Sequence, residues 1–82
     1  MKEKIIHIRY YAMLREQLGR GEETVHTTAG TAADLLAELR ARDHWDIPED
    51  KMQIGINQEM QGKDHPLQDG DHLDLIPPVS GG

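Results

Sequence analysis

The chain has no cysteine and no phenylalanine, and only one tryptophan and two tyrosines among its 82 residues. Without cysteine there is neither a disulfide framework nor a thiolate metal site, a composition that suits a reducing compartment. Without phenylalanine the core must be largely aliphatic. Basic residues are in the minority, nine Lys and Arg against fifteen Asp and Glu, for a net charge of −6. That balance argues against nucleic acid or an anionic membrane as a partner. No apolar run approaches the roughly 20 residues of a membrane span. The segment from Met1 to Arg9 is broken by charge too often to be the apolar centre of a signal peptide. The expectation is a cytoplasmic protein with a single domain and one modest core.

What is present is alternation. Ile6, Ile8 and Tyr10 share one face of a strand, and His7, Arg9 and Tyr11 share the other. Ala12 to Leu18 reads as a short helical turn stopped by Gly19 and Gly21, and Glu22 to Thr28 as a second strand paired with the first. Thr31 caps a helix whose apolar stripe is Ala32, Leu35, Leu36 and Leu39, with Asp34 completing a variant of the capping box. Arg40 and Arg42 suit the negative end of its dipole. Trp45 and Ile47 should plug the edge of the core. Met52, Ile54 and Ile56 give a third strand, Asn57-Gln58 a turn, and Glu59-Met60 a short fourth strand. Gly62 to Gly70 is turn chemistry anchored by Leu67, and His72 to Ile76 is the last strand, with Leu73 and Leu75 facing inward.

One helix over a mixed sheet of about five strands is an α+β architecture. The first and last strands are the most apolar, so they should be central, adjacent and parallel. That arrangement is a β-grasp, or ubiquitin-like, fold over residues 1–76.

Beyond it lies Pro77-Pro78-Val79-Ser80-Gly81-Gly82. Proline fixes φ near −65° and has no N–H, so the strand cannot run on, and each proline keeps its predecessor extended. Six extended residues reach about 20 Å, and the two glycines make a tip thin enough for a narrow channel. Residues 77–82 are therefore expected to be a flexible tail that delivers a C-terminal carboxylate, on Gly82, into another protein. Strand alternation leaves Ile76 facing outward at the root of that tail, with Tyr11 extending the same patch.

Internal catalytic groups are scarce. His7, His26, His44, His65 and His72 show no metal-ligand spacing and fall on different elements. Asp69-Gly70-Asp71 reads as a turn, and Ser80 on a free tail lacks a preorganised base or oxyanion hole. No metal is expected, which leaves the α-carboxyl group of Gly82.

Asp64-His65-Pro66-Leu67-Gln68-Asp69-Gly70-Asp71 and Leu75-Ile76-Pro77-Pro78-Val79-Ser80-Gly81-Gly82 resemble the small subunit of molybdopterin synthase, a ubiquitin-like sulfur carrier. Ile56-Asn57-Gln58, Tyr10-Tyr11-Ala12 and Leu14-Arg15-Glu16 are similar to the same pattern. Family members often carry aromatic residues where this chain has Leu75 and Ile76. The resemblance implies a sulfur-donating subunit without a catalytic apparatus or permanently bound cofactor. An ATP-dependent, nucleotide-binding activating enzyme would adenylate Gly82, and a sulfur donor protein would then convert it to a thiocarboxylate. The tail, with Gly81, Ser80, Val79, Pro78, Pro77, Ile76 and Tyr11 as its partner-binding residues, would enter the large synthase subunit in a heterotetramer. Sulfur would pass there to a cyclic pyranopterin precursor during molybdenum cofactor biosynthesis. A sulfur carrier for thiamin or another thio-compound, and a ubiquitin-like modifier joined to lysines through Gly82, are the alternatives.

Overall fold

The computed structural model describes residues 2–78, and Val79, Ser80, Gly81 and Gly82 lie outside the described residues. Five strands form one sheet: β1 (Lys4–Tyr10), β2 (Glu22–Thr27), β3 (Gln53–Ile56), β4 (Glu59–Gln61) and β5 (His72–Ile76). Helix α1 (Ala12–Leu18) lies between β1 and β2, and α2 (Ala32–Asp43) between β2 and β3. The spatial order is β2-β1-β5-β3-β4. β1 and β5 are parallel, and the remaining pairs are antiparallel. The expected β-grasp is thus observed, with the final strand at its centre.

Alternation explains which side is dry. Ile6, Ile8, Tyr10, Ile54, Ile56, Leu73 and Leu75 are buried together with Leu35, Leu36 and Leu39 of α2. Trp45, Ile47 and Leu67 close the core as the sequence suggests. The Thr31 hydroxyl accepts from the Asp34 N–H at 3.2 Å, so the expected cap forms. Two further N–H groups at the start of α2 are satisfied by loop carbonyls, Ala32 by His65 and Ala33 by Lys63. Opposite the helix, the other side of the sheet is open and mostly polar.

The turn between β3 and β4 also fits its residues. Asn57 and Gln58 have φ of 53° and 73°, the left-handed pair that a tight hairpin turn demands. The Asn57 side chain donates to Asp71 Oδ1 and accepts from the His72 N–H, both at 3.0 Å. This pins the turn to the beginning of β5.

Candidate functional site: the root of the C-terminal segment

β5 carries the chain to the site, and its neighbours decide where it emerges. Leu75 pairs with Tyr10 on one side and Ile54 on the other, and all three are buried. One residue further, the Tyr11 N–H donates to the Leu75 carbonyl at 3.2 Å, and Ile76 lies opposite Gln53. Tyr11 and Ile76 therefore share the open face at the end of the β1–β5 seam. Both are half-buried. The sequence reading placed Ile76 facing outward; it does face away from the core, yet flanking strands on both sides cover part of it. Pro77 is buried and Pro78 exposed. The first proline is thus packed against the body, and the second leads into solvent.

Behind this root, on the helix side, is a charged lock that sequence spacing did not suggest. The Tyr10 ring is buried and its hydroxyl donates to the Glu23 carboxylate. Arg20 reaches Glu23 at 3.1 Å and Asp43 at 2.7 Å, while Arg42 reaches Glu23 at 2.6 Å. The four charges balance and join β1, β2 and the end of α2. Burial alone would raise the Glu23 carboxyl, but hydrogen bonds from Arg42, Tyr10 and Arg20 outweigh it and hold its pKa down at about 2. Burial pushes the Tyr10 hydroxyl upward as well, and there its bond to Glu23 adds to the shift. Arg42 lies in the last turn of α2, where the helix dipole favours it, and its guanidinium also binds Asp43 and Glu23. No periodicity could reveal this, because Glu23 and Arg42 are 19 positions apart.

The chain turns sharply on leaving β1. Ala12, which opens α1, has φ of +51°, a left-handed angle that a residue with a Cβ adopts at a cost. A concavity of about 330 Å³, lined by Arg9, Tyr11, Ala12, Arg15 and Gly21 among others, lies beside this turn. A larger one of about 580 Å³ covers the open face, with His7, Arg9, Tyr11, Thr24, His72 and Asp74 in its lining. The Arg9–Glu22 pair there, 3.9 Å apart with both side chains well exposed, adds little stability. Among the described residues the exposed large apolar side chains are Ile5 and Met60.

Of the expected site residues, the structure brings Tyr11, Ile76, Pro77 and Pro78 to one end of the sheet. Gly82, Gly81, Ser80 and Val79 fall outside the described residues. Among the described residues no group of three or more His, Cys, Asp or Glu is placed to hold a metal ion, and no helix is long and apolar enough to cross a membrane.

The fold is that of a ubiquitin-like, β-grasp protein, with two prolines directly after its central strand. The chain belongs to the ThiS family, which matches residues 8–82. It is 32% identical over 81 residues to the molybdopterin synthase sulfur carrier subunit of Escherichia coli K12, covering 95% of this chain and 100% of that protein. Its fold is similar to the putative molybdopterin converting factor subunit 1 of Pyrococcus furiosus, with a TM-score of 0.78 and 27% identity over 93% of this chain and 99% of the other. It is also similar to a chain in the complex of subunits 1 and 2 of the molybdopterin-converting factor from Helicobacter pylori, with a TM-score of 0.60 and 26% identity over 95% and 99% of the respective chains.

Proposed function

We propose that this protein is the sulfur carrier subunit of a molybdopterin synthase, with the Gly82 carboxylate as its working group. The observation that carries the reading is the root geometry: a central strand paired on both sides, a buried Pro77 and an exposed Pro78. A scaffold of this kind gives a short C-terminal segment a fixed direction, which shortens the search for a partner's channel. The 32% identity to a named sulfur carrier along nearly the whole chain supports the same conclusion.

The chemistry follows from the functional group. A C-terminal carboxylate, with a reference pKa of about 3.3–3.7, is ionised at neutral pH and a poor electrophile. ATP supplied by an activating enzyme turns it into an acyl-adenylate with release of pyrophosphate. A sulfide-level nucleophile from a donor protein then displaces AMP and leaves a thiocarboxylate. The charged end enters the large synthase subunit, which provides the acid–base groups, and the sulfur passes to a pyranopterin precursor. Ile76 and Tyr11 dock at the mouth of the channel, Pro77 fixes the angle of entry, and Gly81 and Gly82 keep the tip thin. The carrier leaves as a carboxylate and is recharged in the cytoplasm.

Intact mass of the protein isolated from cells tests this directly. The expected result is a fraction with one oxygen exchanged for sulfur at the C-terminus. Deleting Gly82 should remove that fraction and abolish synthase activity with unfolding unchanged. Product formation by a protein with a blocked terminus would overturn the reading.

A further inference from the structure

His7 and His72 are 65 positions apart in the sequence, yet they occupy the same register position across the parallel β1–β5 seam. Both point to the open face, and their ring centroids are 4.7 Å apart with 27° between the planes. Two imidazoles bound cis to one ion, each nitrogen about 2.0–2.1 Å from it, have centroids roughly 4.5–5.2 Å apart. The backbone therefore already sets the spacing of a chelating pair; the rings are stacked as they stand, and both have to turn about their side-chain bonds for the nitrogens to share one ion.

The next atoms outward suit the same purpose. His7 Nδ1 lies 3.2 Å from the Thr24 hydroxyl on β2. In the tautomer whose Nδ1–H donates to that hydroxyl, the Nε2 lone pair is left free, and Thr24 is a partner of the kind metal-bound histidines use. His72 is held from behind by the bond from its own N–H to Asn57 Oδ1 at 3.0 Å. The pair lines the 580 Å³ concavity together with Asp74, which leaves room for water at the remaining coordination positions.

We propose that His7 and His72 form a two-imidazole site for a first-row divalent transition ion, with the affinity order placing Cu²⁺ ahead of Ni²⁺ and Zn²⁺. Oxygen-seeking Mg²⁺ and Ca²⁺ do not take it. A bound ion cross-links β1 to β5 four residues before Ile76, so it stiffens the strand that carries the C-terminal segment. It also sits on the open face beside Tyr11, where it alters any surface that docks there.

Titrating the full-length protein with CuCl₂ by calorimetry, alongside electron paramagnetic resonance of the Cu²⁺-loaded sample, tests the site. The expected result is one ion per chain with a nitrogen-ligated signal, and a loss of at least about tenfold in affinity in H7Q and in H72Q alike. Both positions lie outside the core, so thermal unfolding of the metal-free variants should match the parent. Binding in the double variant as tight as in the parent would assign the ion to His26, His44, His65 or carboxylates and overturn the proposal. So would loss in only one single variant, since a chelating pair needs both rings.

Discussion

Tyr10 and Tyr11 are neighbours in sequence with the same side chain, and the pleat sends them to opposite sides of the sheet. Tyr10 is 1% exposed, and its hydroxyl is held by a carboxylate that two arginines also grip. Tyr11 is half-buried on the open face next to Ile76, and its backbone N–H alone ties it to β5. The first belongs to a region where the Tyr10 hydroxyl, the Glu23 and Asp43 carboxylates and two guanidinium groups are paired with one another. The second belongs to one where side chains are more exposed and make only loose surface pairs, such as Arg9 with Glu22. The difference locates stability on the helix side of this end of the sheet, and the docking surface of the proposed function lies on the open side. It can be tested by perturbing each side separately.

The largest effect is expected from Tyr10→Ala. Removing a fully buried aromatic ring costs about 3–5 kcal/mol, and here it also strips Glu23 of a donor. Tyr11→Ala should cost about 1 kcal/mol or less, as for a partly exposed residue outside the core. Denaturant unfolding of the two variants measures the gap. Equal losses would erase the division between the two faces.

Next in size is the effect of Ile76→Lys on docking. An apolar anchor at the mouth of a channel is worth more than about 2 kcal/mol when it is desolvated on binding. Because Ile76 is half-buried, the same change should lower folding stability by about 1 kcal/mol. Calorimetric titration against the large subunit that the proposed function requires, with thermal unfolding in parallel, separates the two quantities. Unaltered binding would move the docking surface away from Tyr11 and Ile76.

The charged lock gives a smaller, pH-dependent signal. The Glu23 carboxyl is lowered in the folded state from 4.5 to about 2. Its contribution is therefore present in full above pH 4.5 and is lost as pH falls toward 2. Allowing for the solvent exposure of Arg42 and Arg20, that contribution is about 1–2 kcal/mol. Glu23→Gln should lower stability at pH 7 by this amount and flatten the profile between pH 4.5 and 2. A variant with the parental acid limb would show that other carboxylates govern acid unfolding.

How much of this was legible in the residues follows from the range of each interaction. Strand faces and the α2 stripe are encoded by neighbours two to four positions apart, and Ile6, Ile8, Leu35, Leu39, Leu73 and Leu75 are buried as their periodicity required. Thr31 and Asn57 announced a cap and a turn because their side chains act on nearby backbone. The Pro-Pro-Val-Ser-Gly-Gly run was equally plain, being a chemical motif. The lock joining Arg20, Glu23 and Arg42, and the His7–His72 pair, depend on which strands become adjacent. Charge order along the chain carries no such information. The burial of Pro77 was missed for the same reason, since the sequence marks where a strand must stop and gives no measure of what covers the stop.

The smallest expected effect lies at the hinge between the two tyrosines' surroundings. Ala12 follows Tyr11 directly and holds φ of +51° while opening α1. A left-handed angle costs a residue with a Cβ about 1–2 kcal/mol, whereas glycine adopts it freely but loses about 0.5–1 kcal/mol more chain entropy on folding. The two terms nearly offset, so Ala12→Gly should raise stability by about 0.5 kcal/mol, read as a small rise in the unfolding midpoint. Its effect on docking is the sharper measure. If the strained turn serves to set Tyr11 beside Ile76, a glycine that widens the allowed backbone angles should weaken binding to the proposed large-subunit partner while the domain becomes no less stable. If binding and stability rise together, the strain is incidental, and the direction of Tyr11 is set by its backbone bond to Leu75 alone.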